Sequence, residues 1–350
     1  MTFAVPTIDL SPYLVPGADA ATSPDCARVA AAIDRACREV GFLQLVGHGI
    51  SDETLTGLAD ALDTFFGLGL EQKKAYRREP GANRGYAPPR SESLSNSLGL
   101  TPASMMNDFY EAFTVGSEPG WYPGHDLPET SYAHNSWPDV APGFRAAVEA
   151  YLVEVTAVSR VLLRACSDGL GLPPGHFDSL VDHSIDALKM NNYALPEGEI
   201  ELDGDLTGMG AHTDFGILTL LWADQVAGLQ VLDDGGAWHD VMPADGALLV
   251  NLGDLMARWT NQRWMSTVHR VKPPVIDGAI RRRRSAAFFH DGNIDAVIET
   301  LPTCIGPDGA HDEPITVRDH LRAKLAGSRA GVANSAAGQE AQRVLAAGGR

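Results

Sequence analysis

The segment AHTDFG contains an imidazole and a carboxylate two residues apart. His212 and Asp214 lie at the mouth of a short apolar stretch with the character of a β-strand. Because side chains two residues apart on a strand point to the same side, both could reach one metal ion. The triplet alone is weak evidence, since a chain with 11 His and 45 Asp and Glu is expected to contain one by chance.

A third candidate ligand, His269 in STVHRV, lies on another predicted strand. Two histidines and one carboxylate form a facial triad that leaves coordination positions open, as O2-activating non-haem Fe(II) requires. A structural zinc would usually have four protein ligands. We therefore predict that His212, Asp214 and His269 are the ligands of a catalytic Fe(II).

A second set of polar residues follows on later and earlier predicted strands. Arg283 and Ser285 in RRRRSAAFFH share one face, and a guanidinium beside a hydroxyl is a good receptor for a distal carboxylate. Four arginines alone would indicate a solvated basic edge, but this run directly precedes apolar residues, so at least one Arg should turn inward. Asn191 and Tyr193 in MNNYALP add two polar groups on one face of another strand.

The elements that must position these residues change along the chain. Apolar residues recur at helical spacing over 27–39, 52–66 and 144–170, and GFLQLVGHGI at 41–50 is typical of a short strand. Residues 78–107 are rich in Gly, Pro, Ser and Asn without a clear period, which predicts a long loop, and loops of that length are often functional lids.

Short runs rich in Val, Leu, Ile, Trp and Phe fill residues 185–300, with Gly, Asp or Pro between them. Such spacing favours an all-β sandwich, barrel or jelly roll, and the candidate site residues should lie inside it. A helix is predicted at 316–325, and the Ala- and Gly-rich last 25 residues are expected to be frayed.

With these motifs in place, the chain resembles the Fe(II)- and 2-oxoglutarate-dependent oxygenases of the isopenicillin N synthase-like superfamily. The family's HxD…H, RxS and NxY motifs match the residues above, and VPTIDL, GFLQLVGHGI, RGY and NSWP extend the resemblance through the N-terminal half. It covers about residues 5–300. The separation of His269 from Arg283 is longer than is typical of the family, and PPVIDGAI is expected to form an extended hairpin turn there.

The resemblance implies a mainly β fold with flanking helices, built on a double-stranded β-helix, or jelly roll, with an N-terminal α/β extension. Four segments of one globule are expected: the extension at 1–115, a helical support at 116–184, the jelly-roll oxygenase core at 185–300, and a C-terminal helix with a flexible tail at 301–350.

The resemblance also implies the chemistry. The co-substrate 2-oxoglutarate would bind Fe(II) through its 1-carboxylate and 2-keto oxygen, and its 5-carboxylate would meet Arg283 and Ser285 with Tyr193 and Asn191 nearby. O2 would take the last position on the metal. Oxidation of the substrate, most often hydroxylation, would be coupled to formation of succinate and CO2. Iron and co-substrate carry this chemistry, so no catalytic residue is expected beyond the metal ligands.

Three alternatives remain open at this stage. An iron oxidase of the same fold, of the isopenicillin N synthase type, would use no 2-oxoglutarate and would catalyse desaturation or ring closure. A non-catalytic binding protein on the same scaffold would keep the triad as a vestige or for another metal. A zinc hydrolase is the weakest alternative, because no general base is evident.

Composition limits the partners. A formal charge of −18 and a pI near 4.9 disfavour nucleic acid. Neither a long apolar stretch nor a signal peptide is evident, which predicts a cytoplasmic protein without a membrane partner. The four Cys are scattered and are expected to be free thiols. A small molecule of specialised metabolism, amino-acid or natural-product derived, is the expected substrate; the sequence does not indicate the oligomeric state.

Several further residues are weaker candidates. Phe215 and Phe289 flank the metal motifs, but aromatic residues beside a strand are more often plain core. Lys189 shares a strand face with Asn191 and Tyr193 and could meet an acidic substrate or lie in solvent. Candidate lid residues within 84–110 are Arg84, Tyr86, Asn107 and Phe109.

Overall fold

A computed structural model describes residues 3–79, 83–98, 108–194, 208–276 and 279–330. The helices are α1 (Ser11–Leu14), α2 (Pro24–Glu39), α3 (Asp52–Phe66), α4 (Leu70–Lys74), α5 (Phe144–Gly169), α6 (Asp254–Trp259) and α7 (Val317–Ala330). The strands are β1 (Thr7–Asp9), β2 (Phe42–Val46), β3 (Gly85–Ala87), β4 (Glu111–Gly116), β5 (Ala187–Tyr193), β6 (Met209–His212), β7 (Leu218–Ala223), β8 (Leu229–Leu232), β9 (Trp238–Asp240), β10 (Leu248–Leu252), β11 (His269–Val271), β12 (Val275–Ile276), β13 (Ala279–Ile280), β14 (Arg283–His290), β15 (Val297–Ile298) and β16 (Ile315–Thr316).

Two sheets form the body of the protein. The larger has the order β1-β2-β10-β7-β14-β5-β4-β3, antiparallel except for the parallel pair β1 and β2, and the smaller has the order β6-β11-β8-β9. Residues of both sheets line one internal cavity. This is the predicted jelly roll, and strands from the N-terminal half complete its larger sheet.

The long helices cover the outer face of the larger sheet. Ser23 caps α2 by accepting a hydrogen bond from the amide of Cys26, and α2 and α3 pack against α5. One stripe of α5 is buried, including Val148, Val155 and Leu162, and complete burial of each such side chain contributes about 1.5–3 kcal/mol. The predicted helices are confirmed, and α7 continues beyond the predicted residue 325.

Within the ranges described, no helix is long and apolar enough to cross a membrane.

Strand alternation separates the core from the cavity. Ala286 and Phe288 of β14 belong to the apolar cluster shared with the helices. Arg283, Ser285 and the other residues of opposite parity face the cavity between the sheets. One face of β14 therefore belongs to the core beneath the helices, and the other face forms part of the cavity wall, because successive side chains alternate in direction.

The loop predicted over 78–107 contains more regular structure than expected. Residues Gly85–Ala87 form β3, which pairs with β4, and Leu94–Leu98 form a 3-10 helix, while 99–107 lie outside the described residues. Three-residue strands are too short to show a period in sequence. The expected hairpin before Arg283 is confirmed by the antiparallel pair β12 and β13, and residues 331–350 of the predicted tail lie outside the described residues.

Asp254 at the start of α6 joins three parts of the fold. Its carboxylate accepts hydrogen bonds from Ser266 Oγ at 2.6 Å and Thr213 Oγ1 at 3.3 Å, and it pairs with Lys324 Nζ of α7 at 2.6 Å. Burial by itself would raise the pKa of Asp254, but Lys324 and then His320 hold that pKa below its usual value. The ionised carboxylate thus ties α7 to the segments that precede Asp214 and His269.

Replacing Lys324 should destabilise the protein strongly. Lys324→Met leaves the buried Asp254 carboxylate without its closest cation, and we expect a loss of about 3 kcal/mol in the free energy of unfolding, measured by denaturant titration. The control is Lys74→Met, which removes an exposed pair with Glu71 and should cost less than about 1 kcal/mol. Equal stability of the two variants would contradict this role of Lys324.

Candidate functional site

The two predicted histidine ligands are direct neighbours across a strand pair of the smaller sheet. His212 ends β6 and His269 begins β11, and their Cα atoms are register partners. Oδ1 of Asp214 lies 3.8 Å from Nε2 of His212 and 3.7 Å from Nε2 of His269. All three side chains are buried, and their ligand atoms lie within 4.8 Å of one another. The structure therefore brings together the three residues of the predicted triad.

Hydrogen bonds fix both imidazole rings. Nδ1 of His212 donates to the carbonyl of Gly210 at 2.8 Å, and Nδ1 of His269 donates to the carbonyl of Thr267 at 3.0 Å. Because Nδ1 carries the proton in each ring, the lone pair of a neutral ring lies on Nε2, which faces Asp214. Burial and then repulsion by His269 lower the pKa of His212, so its ring is held in the neutral, metal-binding form.

The carboxylate of Asp214 is oriented by two donors on the larger sheet. Its Oδ2 accepts a hydrogen bond from Thr219 Oγ1 at 2.5 Å and from Asn251 Nδ2 at 2.6 Å. These bonds occupy Oδ2 and leave Oδ1 directed at the two imidazoles. Thr219 on β7 and Asn251 on β10 are themselves register partners, so the orientation of Asp214 depends on the pairing of two central strands.

This donor set fits a divalent transition metal with open positions. Two imidazole nitrogens and one carboxylate oxygen suit Fe(II) in a site whose remaining positions are free for other ligands. The three donors border a cavity of about 860 Å³ between the sheets, which is large enough for small molecules beside the metal. The site thus has the donors and the space that the predicted chemistry requires.

Arg283 lies in the wall of this cavity. It pairs with Tyr193 across β14 and β5, and its guanidinium lies 5.1 Å from the centre of the Tyr193 ring. Only 2% of the residue is exposed, yet Nε and Nη1 have no hydrogen-bond partner within the described part of the chain. Buried guanidinium nitrogens without hydrogen-bond partners are costly, and an anionic ligand would satisfy them.

The neighbouring arginines point away from the cavity. Arg282 donates to Asp63 Oδ1 at 2.5 Å and to Asn192 Oδ1 at 2.7 Å, and Arg284 donates to Asp63 Oδ2 at 2.7 Å. Alternation along the strand therefore separates Arg283 from the other two. The sequence expectation that at least one arginine of the run turns inward is confirmed, and that arginine is Arg283.

Three further polar residues complete this end of the cavity. Ser285 pairs with Asn191, whose Nδ2 lies 3.5 Å from Ser285 Oγ, and the Asn191 side-chain oxygen has no partner among the described residues. Burial raises the pKa of Tyr193 to about 12 although Arg283 acts in the opposite direction, so Tyr193 remains a neutral phenol. A guanidinium, a hydroxyl and a phenol together can hold a carboxylate.

The weaker candidates have mixed outcomes. Lys189 lines the cavity, but its Nζ is bound to Glu92 Oε2 at 2.5 Å and Tyr110 Oη at 2.8 Å rather than exposed. Phe289 borders the cavity, and Phe215 borders it while packing against the core. Of the proposed lid residues, Arg84 lines the cavity, Tyr86 and Phe109 are buried in the core, and Asn107 lies outside the described residues.

Sequence reasoning missed several residues of the site. Thr219 and Asn251 orient Asp214, and Asn251 had a signal, since it is a polar residue inside the apolar run GALLVNLG. Asp291 and the helix α7, through Arg318 and Arg322, also line the cavity. No motif marked them, because they reach the site only through the packing of α7 and the end of β14.

Comparisons with known proteins agree with this geometry. Residues 185–292 match the sequence model of the 2OG-Fe(II) oxygenase superfamily, and residues 5–140 match that of the N-terminal region of non-haem dioxygenases in morphine synthesis. The 2-oxoglutarate-Fe(II) type oxidoreductase hxnY from Emericella nidulans is 36% identical over 326 residues, covering 91% of this chain and 88% of the relative.

Two further relatives extend the comparison. The homoarginine-6-hydroxylase 2-ODD-233 from Oryza sativa subsp. japonica is 30% identical over 331 residues, covering 92% of this chain and 96% of the relative. The crystal structure of full-length Neurospora crassa T7H in complex with alpha-KG and thymine is similar with a TM-score of 0.77 and 29% identity, covering 92% of this chain and 96% of that one.

Loss of the Asn251 amide should weaken metal binding. Asn251→Leu removes one of the two donors that orient Asp214, and we expect the Kd for Fe(II), or for Mn(II) as its redox-stable substitute, to rise about 10- to 100-fold in anaerobic titrations. The control is Gln230→Leu, which removes a buried amide bound to Asp240 instead. If both variants bind metal as the wild type does, Asn251 does not position the ligand.

Proposed function

This chain belongs to the 2OG-Fe(II) oxygenase superfamily and is a 2-oxoglutarate-dependent dioxygenase, and we propose that His212, Asp214 and His269 hold its Fe(II). We further propose that Arg283, Ser285, Tyr193 and Asn191 bind the co-substrate. The observation that carries both proposals is a buried guanidinium whose Nε and Nη1 have no hydrogen-bond partner among the described residues, in the same cavity as the His-Asp-His cluster.

The metal would supply the oxidising chemistry: bound with 2-oxoglutarate and O2, it couples conversion of the co-substrate to succinate and CO2 with oxidation of the substrate. The residues of the chain prepare the site for this reaction. Thr219 and Asn251 hold one oxygen of Asp214, and two backbone carbonyls hold the imidazoles, so the three donors need little rearrangement when metal binds.

At the other end of the cavity, Arg283 would bind the 5-carboxylate of 2-oxoglutarate. The guanidinium offers two nitrogens without protein partners among the residues described, and Ser285 and Tyr193 add hydroxyl groups on the same side. The apolar side chains of Leu221, Leu229 and Val271 also line the cavity and would exclude water from this ion pair. The site therefore selects a short dicarboxylate in a fixed orientation.

The oxidase that uses no 2-oxoglutarate is the second candidate. The relatives favour the first, because hxnY carries 2-oxoglutarate in its name and T7H was crystallised with alpha-KG. Arg283 fits the same choice, because its Nε and Nη1 have no partner among the described residues and the 5-carboxylate of 2-oxoglutarate would provide one. An intact set of three ligands likewise disfavours a non-catalytic binding protein.

The substrate is a small molecule, and hydroxylation is the proposed reaction. One relative is named for homoarginine and another was crystallised with thymine, which supports an amino-acid or natural-product derived compound. The cavity volume of about 860 Å³ is within the range of small-molecule sites. Phe215 and Phe289 are apolar surfaces against which such a compound could be held near the metal.

Anaerobic titration tests the proposed site directly. Adding Fe(II) and then 2-oxoglutarate to purified protein should produce the visible charge-transfer band of the chelate. In Arg283→Ala the affinity for 2-oxoglutarate should fall at least about 100-fold, because charge-assisted hydrogen bonds in a buried site are lost. Arg282→Ala is the matched control and should stay within about threefold of wild type, since Arg282 points to Asp63.

Two results would contradict the proposal. Unchanged affinity in Arg283→Ala would place the carboxylate receptor elsewhere. Substrate-dependent O2 consumption without succinate formation would favour the oxidase that uses no 2-oxoglutarate.

A further inference from the structure

The opposite end of the cavity from Arg283 carries a carboxylate that the proposed chemistry does not use. Asp291 follows Phe289 by two residues and lines the cavity just beyond the end of β14. It is only 9% exposed, and its carboxylate has no hydrogen bond or ion pair with any residue that the structure describes. A carboxylate this deeply buried is normally paired.

The neighbouring Asp186 differs from Asp291, because its buried carboxylate is satisfied by hydrogen bonds within the fold. Asp186 accepts hydrogen bonds from Ser184 Oγ, from His290 Nδ1 at 3.0 Å and from the Asp291 amide at 3.2 Å. Asp291 contributes its backbone to that network and keeps its side chain out of it. Because the Asp291 carboxylate takes no part in these hydrogen bonds, it does not stabilise the turn after β14.

The position of Asp291 places it beside the metal ligands. A methyl group at Gly216 would lie 1.8 Å from Oδ1 of Asp291, so the carboxylate lies against the backbone two residues after Asp214. Thr219, which holds Asp214, pairs with Phe289 on the same cavity face. A molecule bound to Asp291 would therefore lie next to the proposed Fe(II), at the end of the cavity away from Arg283.

The other charged groups of the cavity narrow the class of ligand. Lys189 is bound to Glu92, and Arg283 is assigned to the co-substrate. Arg318 and Arg322, one turn apart on α7, border the cavity with exposed side chains that make no side-chain hydrogen bond or ion pair within the described ranges. Arg84 also lines the cavity, but it donates to the carbonyls of Asn83 and Ser117, and Glu129 is exposed. A ligand beside the proposed metal site is therefore near two guanidinium groups on α7 and the buried carboxylate of Asp291.

We propose, on the basis of the function proposed above, that Asp291 binds the substrate through a cationic nitrogen group, an ammonium or a guanidinium. Arg318 and Arg322 meet a carboxylate at the other end of the same molecule, so the substrate class is a small zwitterion of the amino-acid type. Burial, followed by the charges of Asp186 and Asp214, raises the pKa of Asp291 well above its usual range. A bound cation opposes this effect and stabilises the ionised carboxylate.

A pair of ligands that differ mainly in charge tests the proposal. L-arginine and L-citrulline have nearly the same shape, but only L-arginine carries a cationic side chain. Calorimetry with the wild-type protein loaded anaerobically with Mn(II) and 2-oxoglutarate should show L-arginine binding at least about tenfold more tightly. In Asp291→Asn the ratio of the two affinities should fall to about one, whereas Asp308→Asn, which alters an exposed turn, should keep the wild-type ratio.

Asp291→Ser also removes the charge without adding volume, and it serves if the Asn variant does not fold. A wild-type protein that binds neither ligand or does not distinguish them would overturn the proposal, as would a preference for L-arginine that survives loss of Asp291. The Fe(II) and 2-oxoglutarate band, recorded on the same proteins, separates the two proposals. A missing band means failure of the proposed cofactor site, and a normal band with no L-arginine preference means failure of the role of Asp291 alone.

Discussion

The pairing of β14 with β5 and β7 is the constraint on which the rest of the site depends. Register sets Arg283 opposite Tyr193, Ser285 opposite Asn191, and Phe289 opposite Thr219. A shift of one residue would turn Arg283 toward the helices and bring Ala286 and Phe288 into the cavity. The apolar contacts of those two residues with the helix-covered core therefore hold the polar residues of the cavity in place.

Among the described residues, two kinds of buried ionisable group bear on the site. Asp254 with Lys324, and Glu111 with Lys73, are paired at 2.6 Å and 2.9 Å, and each carboxylate accepts further hydrogen bonds. Arg283 and Asp291 lie in the cavity wall with side-chain atoms that have no partner among the residues described. Desolvation makes the second arrangement costly, and the oppositely charged ligands proposed above would offset that cost.

The C-terminal helix connects stability to the site. Lys324 of α7 is bound to Asp254, whose own backbone amide donates to the carbonyl of Asp214 at 2.9 Å. Arg318 and Arg322 of the same helix border the cavity. Docking of α7 therefore shapes one part of the cavity wall and supports the backbone at Asp214 at the same time.

The sequence by itself determined the parts that have a period or a motif. Helical spacing located α2, α3 and α5, and short apolar runs indicated a jelly roll. Residue type and strand spacing singled out His212 and Asp214, because residues two apart on a strand must share a face, and His269 on another predicted strand completed the set. Only the tertiary structure decided that Asn251 and Thr219 orient Asp214, and that Asp291 and α7 border the cavity. These contacts join residues that are far apart in the chain. Strand register and helix docking bring them together, and no local sequence pattern encodes either one.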